Sequence, residues 1–210
     1  MNAGEHDQPG LAAGDFSAWM TQVEGAVRGQ HGSDVPCDGC TACCSSSQFI
    51  HIGPDESDAL AHIPPQLLFP APRLPRGHVV MGYDGSGKCP MLVDEKCSIY
   101  AHRPLTCRTY DCRVFPAAGL DAGEDGKDLI AQRARRWRFT FADPADRELR
   151  DAVRAAAIYL RAHPDLLPGG SPATTTQLAV RAIDVHDVFL RRVDEPDAEV
   201  VRVALRRRPG

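Results

Sequence analysis

Four cysteines fall within eight positions of the chain. They are Cys37, Cys40, Cys43 and Cys44 in CDGCTACC. Four more follow in CPMLVDEKCSIYAHRPLTCRTYDC as Cys89, Cys97, Cys107 and Cys112, and no cysteine lies outside this span. Three chemistries use thiols crowded in this way. A zinc site takes four thiolates at the corners of a tetrahedron, and short C-x2-C turns supply two each. An iron–sulfur cluster also takes four, commonly from a C-x2-C-x2-C run with a remote fourth, and Cys37, Cys40 and Cys43 have that spacing. A disulfide scaffold needs an even number but no such close runs. Eight thiolates satisfy two four-ligand sites, or one cluster and a second site, and counting does not separate these. Side chains of sequence neighbours diverge, so Cys43 and Cys44 are expected to face different partners or to bridge two metals.

Thiolate ligation leaves net negative charge around a divalent ion, and burying it calls for donors or counter-charges nearby. Arg103, Arg108 and Arg113 flank Cys107 and Cys112 and are placed to supply them. His51, His62, His78 and His102 lie in the same region as further ligand or base candidates, although a lone histidine is more often structural. His102 ranks first because it sits inside the second cluster. No nucleophile elbow, paired-carboxylate signature, H-E-x-x-H helix, phosphate loop or dinucleotide fingerprint is present. No catalytic residue or activity is therefore named, and metal binding is the favoured reading.

The composition supports that order. With 210 residues, 43% of them hydrophobic, the chain has enough apolar mass for a conventional core and does not need staples to fold. The net charge of -4 gives no sign of nucleic acid or an anionic membrane as partner. The basic run RARRWRF, with Arg133, Arg135, Arg136 and Arg138 around Trp137, could serve nucleic acid, but a basic face balanced by the acidic loop 121–128 is preferred. No secretory signal or membrane span is read, so a reducing cytoplasm is the expected compartment, where clustered cysteines more often hold metal than form disulfides. Protein partners are not indicated.

The elements that must position these residues follow from periodicity and punctuation. Residues 1–14 read as a flexible tail. A helix is expected within 15–32, with Asp15 as N-cap, Gly29 as stop and Phe16, Trp19, Met20, Val23 and Val27 on its apolar face. QFIHI reads as a strand, and DESDALAHI as a short helix ended by Pro64 and Pro65. HVVMGY and KCPMLV flank the turn residues Asp84–Gly87, which predicts a hairpin between them. LIAQRARRWRF is helical or extended. A long helix starts at Asp143–Pro144, another opens at SPATTT and runs to about Arg192, and EPDAEVVRVALRRR adds a terminal helix.

The run C-x2-C-x2-C-C followed by CPML…KCSIYAHRPLTCRTYDC resembles the YkgJ-type cysteine-cluster (CxxCxxCC) proteins. The likeness covers roughly 35–115 and includes Pro90, Leu92, Ile99, Tyr100, Arg103, Pro104, Arg108 and the acidic PDESDAL segment. It implies a zinc- or iron-chelating domain. A related group resembles flagellin lysine methylases with an iron–sulfur centre. The likeness to that group is confined to the cysteines, so a metal-dependent enzyme stands as an alternative and a disulfide scaffold as another. The expectation is an α+β, mainly helical protein. A cysteine-rich metal-binding module of short strands and loops at 33–115 would pack against N- and C-terminal helices, the latter at 128–208. All eight cysteines would be metal ligands, for an iron–sulfur cluster of the four-iron type or for zinc, with the cluster slightly preferred.

Overall fold

The computed structural model of the chain describes residues 9–33, 35–37, 39–167, 174–190 and 195–207. In chain order the elements are β1 (Leu11–Asp15), α1 (Phe16–Val27), β2 (Ile50–Ile52), α2 (Ser57–His62), β3 (Leu68–Pro70), β4 (Val79–Met81), β5 (Leu92–Val93), β6 (Lys96–Cys97), α3 (Leu105–Thr109), α4 (Val114–Ala118), α5 (Asp128–Ala134), β7 (Trp137–Thr140), α6 (Pro144–Ala162), α7 (Thr175–Val185) and α8 (Ala198–Arg207). The architecture is α+β and mainly helical, with short strands in small sheets. It divides into two units: residues 29–111, and the described residues up to 28 together with those from 112 onward.

The second of these units carries the long helices. Asp15 caps α1 by accepting the Ala18 N–H at 3.1 Å, which satisfies one of the open donors of the first turn. Phe16, Trp19 and Val23 then bury one face, with Phe16 and Trp19 against Phe139 at centroid distances of 5.0 and 4.8 Å. Residues 11–14, expected as tail, form strand β1 instead. It pairs in parallel with β7, Leu11 opposite Trp137 and Asp15 opposite Thr140. A partner so distant in sequence leaves no local pattern. Residues 1–8 of the expected tail lie outside the described residues.

Asp143 caps α6 with Pro144 at the first helical position, as the sequence suggests, and Asp146 completes a reciprocal capping box that the sequence reading did not include. Val153, Ala156, Ala157 and Leu160 of α6 are buried, as are Ala179, Ala182 and Ile183 of the adjoining α7, and the small alanines allow close approach. Helix α7 is capped by Thr174, three positions after the expected Ser171, which lies outside the described residues. It ends at Val185, not near Arg192, because the chain tightens into a 3-10 turn over His186–Phe189. The basic run splits between α5 and β7. Trp137 is only 3% exposed, so its ring is core and not a platform for bases. Arg135 is held by Asp121 at 2.7 Å, and Arg138 donates to the Arg135 and Trp137 carbonyls.

The unit 29–111 is built on the antiparallel sheet β2-β4-β3, with Ile50 and Leu68 both opposite Met81. Its core is Ile52, Ala59, Ile63, Met81, Met91 and Ile99, and the half-buried Cys89 and Cys97 pack against it. The expected hairpin between 78–83 and 88–93 is corrected here. The turn exists, with Asp84 Oδ1 accepting the Ser86 and Lys88 N–H groups at 2.8 and 3.0 Å. However, β4 pairs only with β2 and β3, and Pro90, which has no N–H, follows the turn at once. The hairpin in this region is β5–β6, where Asp94 and Glu95 both take positive φ in a two-residue turn.

Candidate metal centre

Backbone pairing at distance brings the two cysteine groups together. Cys40 N–H closes on the Cys37 carbonyl at 2.6 Å, a tight turn around Gly39, and Cys43–Ser45 form a 3-10 turn. The chain then runs beside the Asp84–Lys88 turn: Ser47 N–H donates to the Gly87 carbonyl at 2.9 Å, and Cys89 N–H to the Cys44 carbonyl at 2.7 Å. Gly87 is required there. Its φ is +80°, and a Cβ would stand 2.6 Å from Ser47 Oγ. The β5–β6 pairing sets Leu92 opposite Cys97, and Leu92 N–H donates to the Cys89 carbonyl, so that Cys89 and Cys97 share one end of the hairpin.

Cys107 arrives on α3. That helix is tied to the sheet by Thr106 Oγ1, which donates to the His51 carbonyl at 2.8 Å. Glu56 spans the same gap: Oε1 accepts the Gly53 N–H at 2.8 Å and Oε2 the Leu105 N–H at 2.5 Å. Beyond α3, Asp111 accepts from Ser33 Oγ at 2.8 Å, and Ser33 N–H donates to the Arg108 carbonyl, which anchors the segment that leads to Cys37.

The thiols report their neighbourhood through their acidity. Burial pushes Cys107 up to about 12, Cys43, Cys89 and Cys97 add to the rise, and the Arg103 charge opposes it. Burial raises Cys89 as well, and Cys97 and Cys43 act on it in the same direction. Cys43 is raised furthest, first by a hydrogen bond with the Cys44 thiol and then by burial. Cys43, Cys89, Cys97 and Cys107 therefore form one electrostatic group, drawn from a turn, a loop, a strand and a helix.

The other expected residues are placed as follows. Cys112 stands in the other unit, where its sulfur accepts the Trp137 Nε1–H at 3.1 Å. Arg113, in that unit too, is buried and donates to the Ala13 carbonyl at 3.1 Å, a structural bond. Arg103 lies over the Tyr100 ring at 3.7 Å and is the arginine whose charge Cys107 feels. Arg108 donates to the Arg103 carbonyl. His51 and His78 share a hydrogen bond at 2.9 Å. His62 and His102 stack at 3.5 Å beside Asp58. Glu56 and Asp58 entered the sequence reading only as part of the acidic PDESDAL segment, with no role of their own. The Asp58–His62 spacing of four on a short helix is the signal that could have found the second of them.

Among the described residues, which include all eight cysteines, none of the cysteines is in a disulfide. The sulfurs of the 29–111 unit include no three that all lie within 4.8 Å of one another. Residues 36–128 match the family model CxxCxxCC, described as a "putative zinc- or iron-chelating domain". The matched segment begins just before Cys37 and runs past Cys112, so it holds all eight cysteines of the chain. No curated protein and no solved structure matches the chain. No helix among the described residues is long and apolar enough to cross a membrane.

Proposed function

We propose that this protein holds a metal centre on the thiolates of Cys43, Cys89, Cys97 and Cys107, and that the centre is an iron–sulfur cluster in preference to a single zinc ion. The observation that carries the reading is that these four thiols, remote in sequence, act on one another inside one unit. Four half-buried thiols without a cation have no favourable way to ionise together, and a bound cation supplies one. The run Cys37, Cys40, Cys43 has the spacing common among cluster ligands.

Cys37, Cys40 and Cys44 are the remaining thiolates of the same unit and are proposed as further ligands. Cys112 enters as a ligand on the family pattern alone. Arg103 supplies counter-charge at Cys107, and Glu56 and Thr106 fix the helix that carries it. Thiols in this number suit a reducing compartment, and we place the protein in the cytoplasm on that basis.

The test is elemental analysis of untagged protein purified without oxygen or chelators. About four irons per chain, with matching acid-labile sulfide, is the expected result for one cubane cluster. About one or two zincs without iron would replace the cluster by a structural zinc site. Neither metal in wild-type protein, or unchanged content after Cys89→Ser and Cys107→Ser, would overturn the proposal.

A further inference from the structure

The structure assigns a second, exposed metal site to His62 and His102, with Asp58 orienting His102 through its carboxylate and His62 through its backbone carbonyl, for a divalent transition metal of the nickel, copper or zinc type. Helix α2 sets Asp58 and His62 four residues apart on one face, and the loop before α3 brings His102 onto the same patch. The two imidazoles stack at a centroid distance of 3.5 Å with 5° between their planes. His102 Nδ1 lies 2.9 Å from Asp58 Oδ2, and His62 Nδ1 lies 2.8 Å from the Asp58 backbone carbonyl. One donor atom from each of the three residues lies within 4.8 Å of the others.

The tautomers follow from these partners. A carboxylate and a carbonyl only accept, so each Nδ1 carries the proton that is donated. That leaves both Nε2 atoms as lone-pair donors. A histidine that binds metal through one nitrogen ordinarily donates its other N–H to a carboxylate or a backbone carbonyl. His102 has the first kind of partner and His62 the second. Two nitrogens on a tetrahedral ion with bonds of about 2.05 Å sit about 3.3 Å apart, and rings whose centroids are 3.5 Å apart are near enough for a change of tilt to bring their Nε2 atoms to that spacing. All three side chains are well exposed, so the rings have room to tilt until their lone pairs converge and water can complete the coordination. Imidazole nitrogen suits nickel, copper and zinc, whereas the thiol group described above suits softer partners. The two sites are therefore chemically separate.

The experiment is a calorimetric titration of Ni²⁺ into untagged protein whose iron and zinc content has been measured, with that content measured again afterwards. The expected result is one Ni²⁺ per chain, with resident iron or zinc unchanged. His62→Ala and His102→Ala should each weaken uptake at least tenfold, and Asp58→Ala about 10- to 100-fold through loss of the orienting carboxylate. Exposed His31→Ala is the control and should leave uptake as it is. Circular dichroism checks that each variant folds. No uptake up to about millimolar Ni²⁺, uptake equal in the His62 and His102 variants, or release of resident metal as nickel enters would each overturn the site. A negative titration with resident metal intact leaves the cysteine centre standing, so the two proposals fail separately.

Discussion

Glu56 and Leu105 are joined across the 29–111 unit by a hydrogen bond of 2.5 Å from the Leu105 N–H to Glu56 Oε2. Leu105 opens α3, where the first N–H groups of a helix have no partner inside it, and Cys107 follows two residues later. Since Oε1 also holds Gly53, one carboxylate ties the end of β2 to the start of the ligand helix. Glu56→Ala should cost about 1–3 kcal/mol of stability, because two backbone donors lose a charged acceptor. Glu56→Gln, which keeps one carbonyl acceptor, should cost less. Denaturant midpoints of metal-free protein check both, and metal content should fall in the same order.

The β5–β6 turn carries a strain that a glycine relieves. Asp94 and Glu95 have φ of 48° and 56°, a left-handed pair that favours Asn-Gly or Asp-Gly in a two-residue hairpin. Glu95→Gly should raise stability by about 0.5–1 kcal/mol. The gain is reduced slightly by loss of the exposed Lys88–Glu95 pair at 3.2 Å, which is worth little at the surface. Thermal unfolding of the variant tests this. A lower midpoint would mean that Glu95 does more than close the turn, for instance through its contact with Thr41.

Local signals carried the helices. Asp15, Asp143 and Pro144 act within one turn of themselves, and their helices begin where those residues say. The Asp84–Gly87 turn was legible for the same reason, but the strand pairing around it was not. Which strand β4 chooses depends on Ile50 and Leu68, which local periodicity does not reach. The parallel partner of β1 lies beyond the cysteine-rich unit and was invisible on the same ground. The cysteines were legible as a set. The group of Cys43, Cys89, Cys97 and Cys107 was not, since it depends on the Cys44–Cys89 backbone bond and the Leu92–Cys97 register.

The raised thiols predict alkaline weakness in the metal-free protein. Cys43, Cys89 and Cys107 hold their protons more tightly folded than unfolded. A group raised on folding contributes its full stabilisation below its unfolded value, and the contribution is lost as pH rises from there toward the folded value. For Cys107 the window runs from about 9 to about 12. Unfolding free energy should therefore fall above pH 9, by up to about 1.4 kcal/mol per pH unit for each such thiol. Cys107→Ala should make the decline shallower, and an unchanged slope would show that its thiol is not held protonated by the fold.

The same protonation sets the pH dependence of loading. Metal binds thiolate, so thiols protonated at neutral pH must each release a proton as the centre fills. Cys43, Cys89 and Cys107 are such thiols, so uptake of a probe ion such as Zn²⁺ at this centre should release at least about three protons per chain. Its affinity should climb about a thousandfold per pH unit between pH 7 and 8. Calorimetry of the His62→Ala/His102→Ala protein in two buffers of different ionisation enthalpy gives the proton count directly. Uptake at the histidine pair releases no thiol protons, so binding without that release would show the ion sitting elsewhere than on Cys43, Cys89 and Cys107.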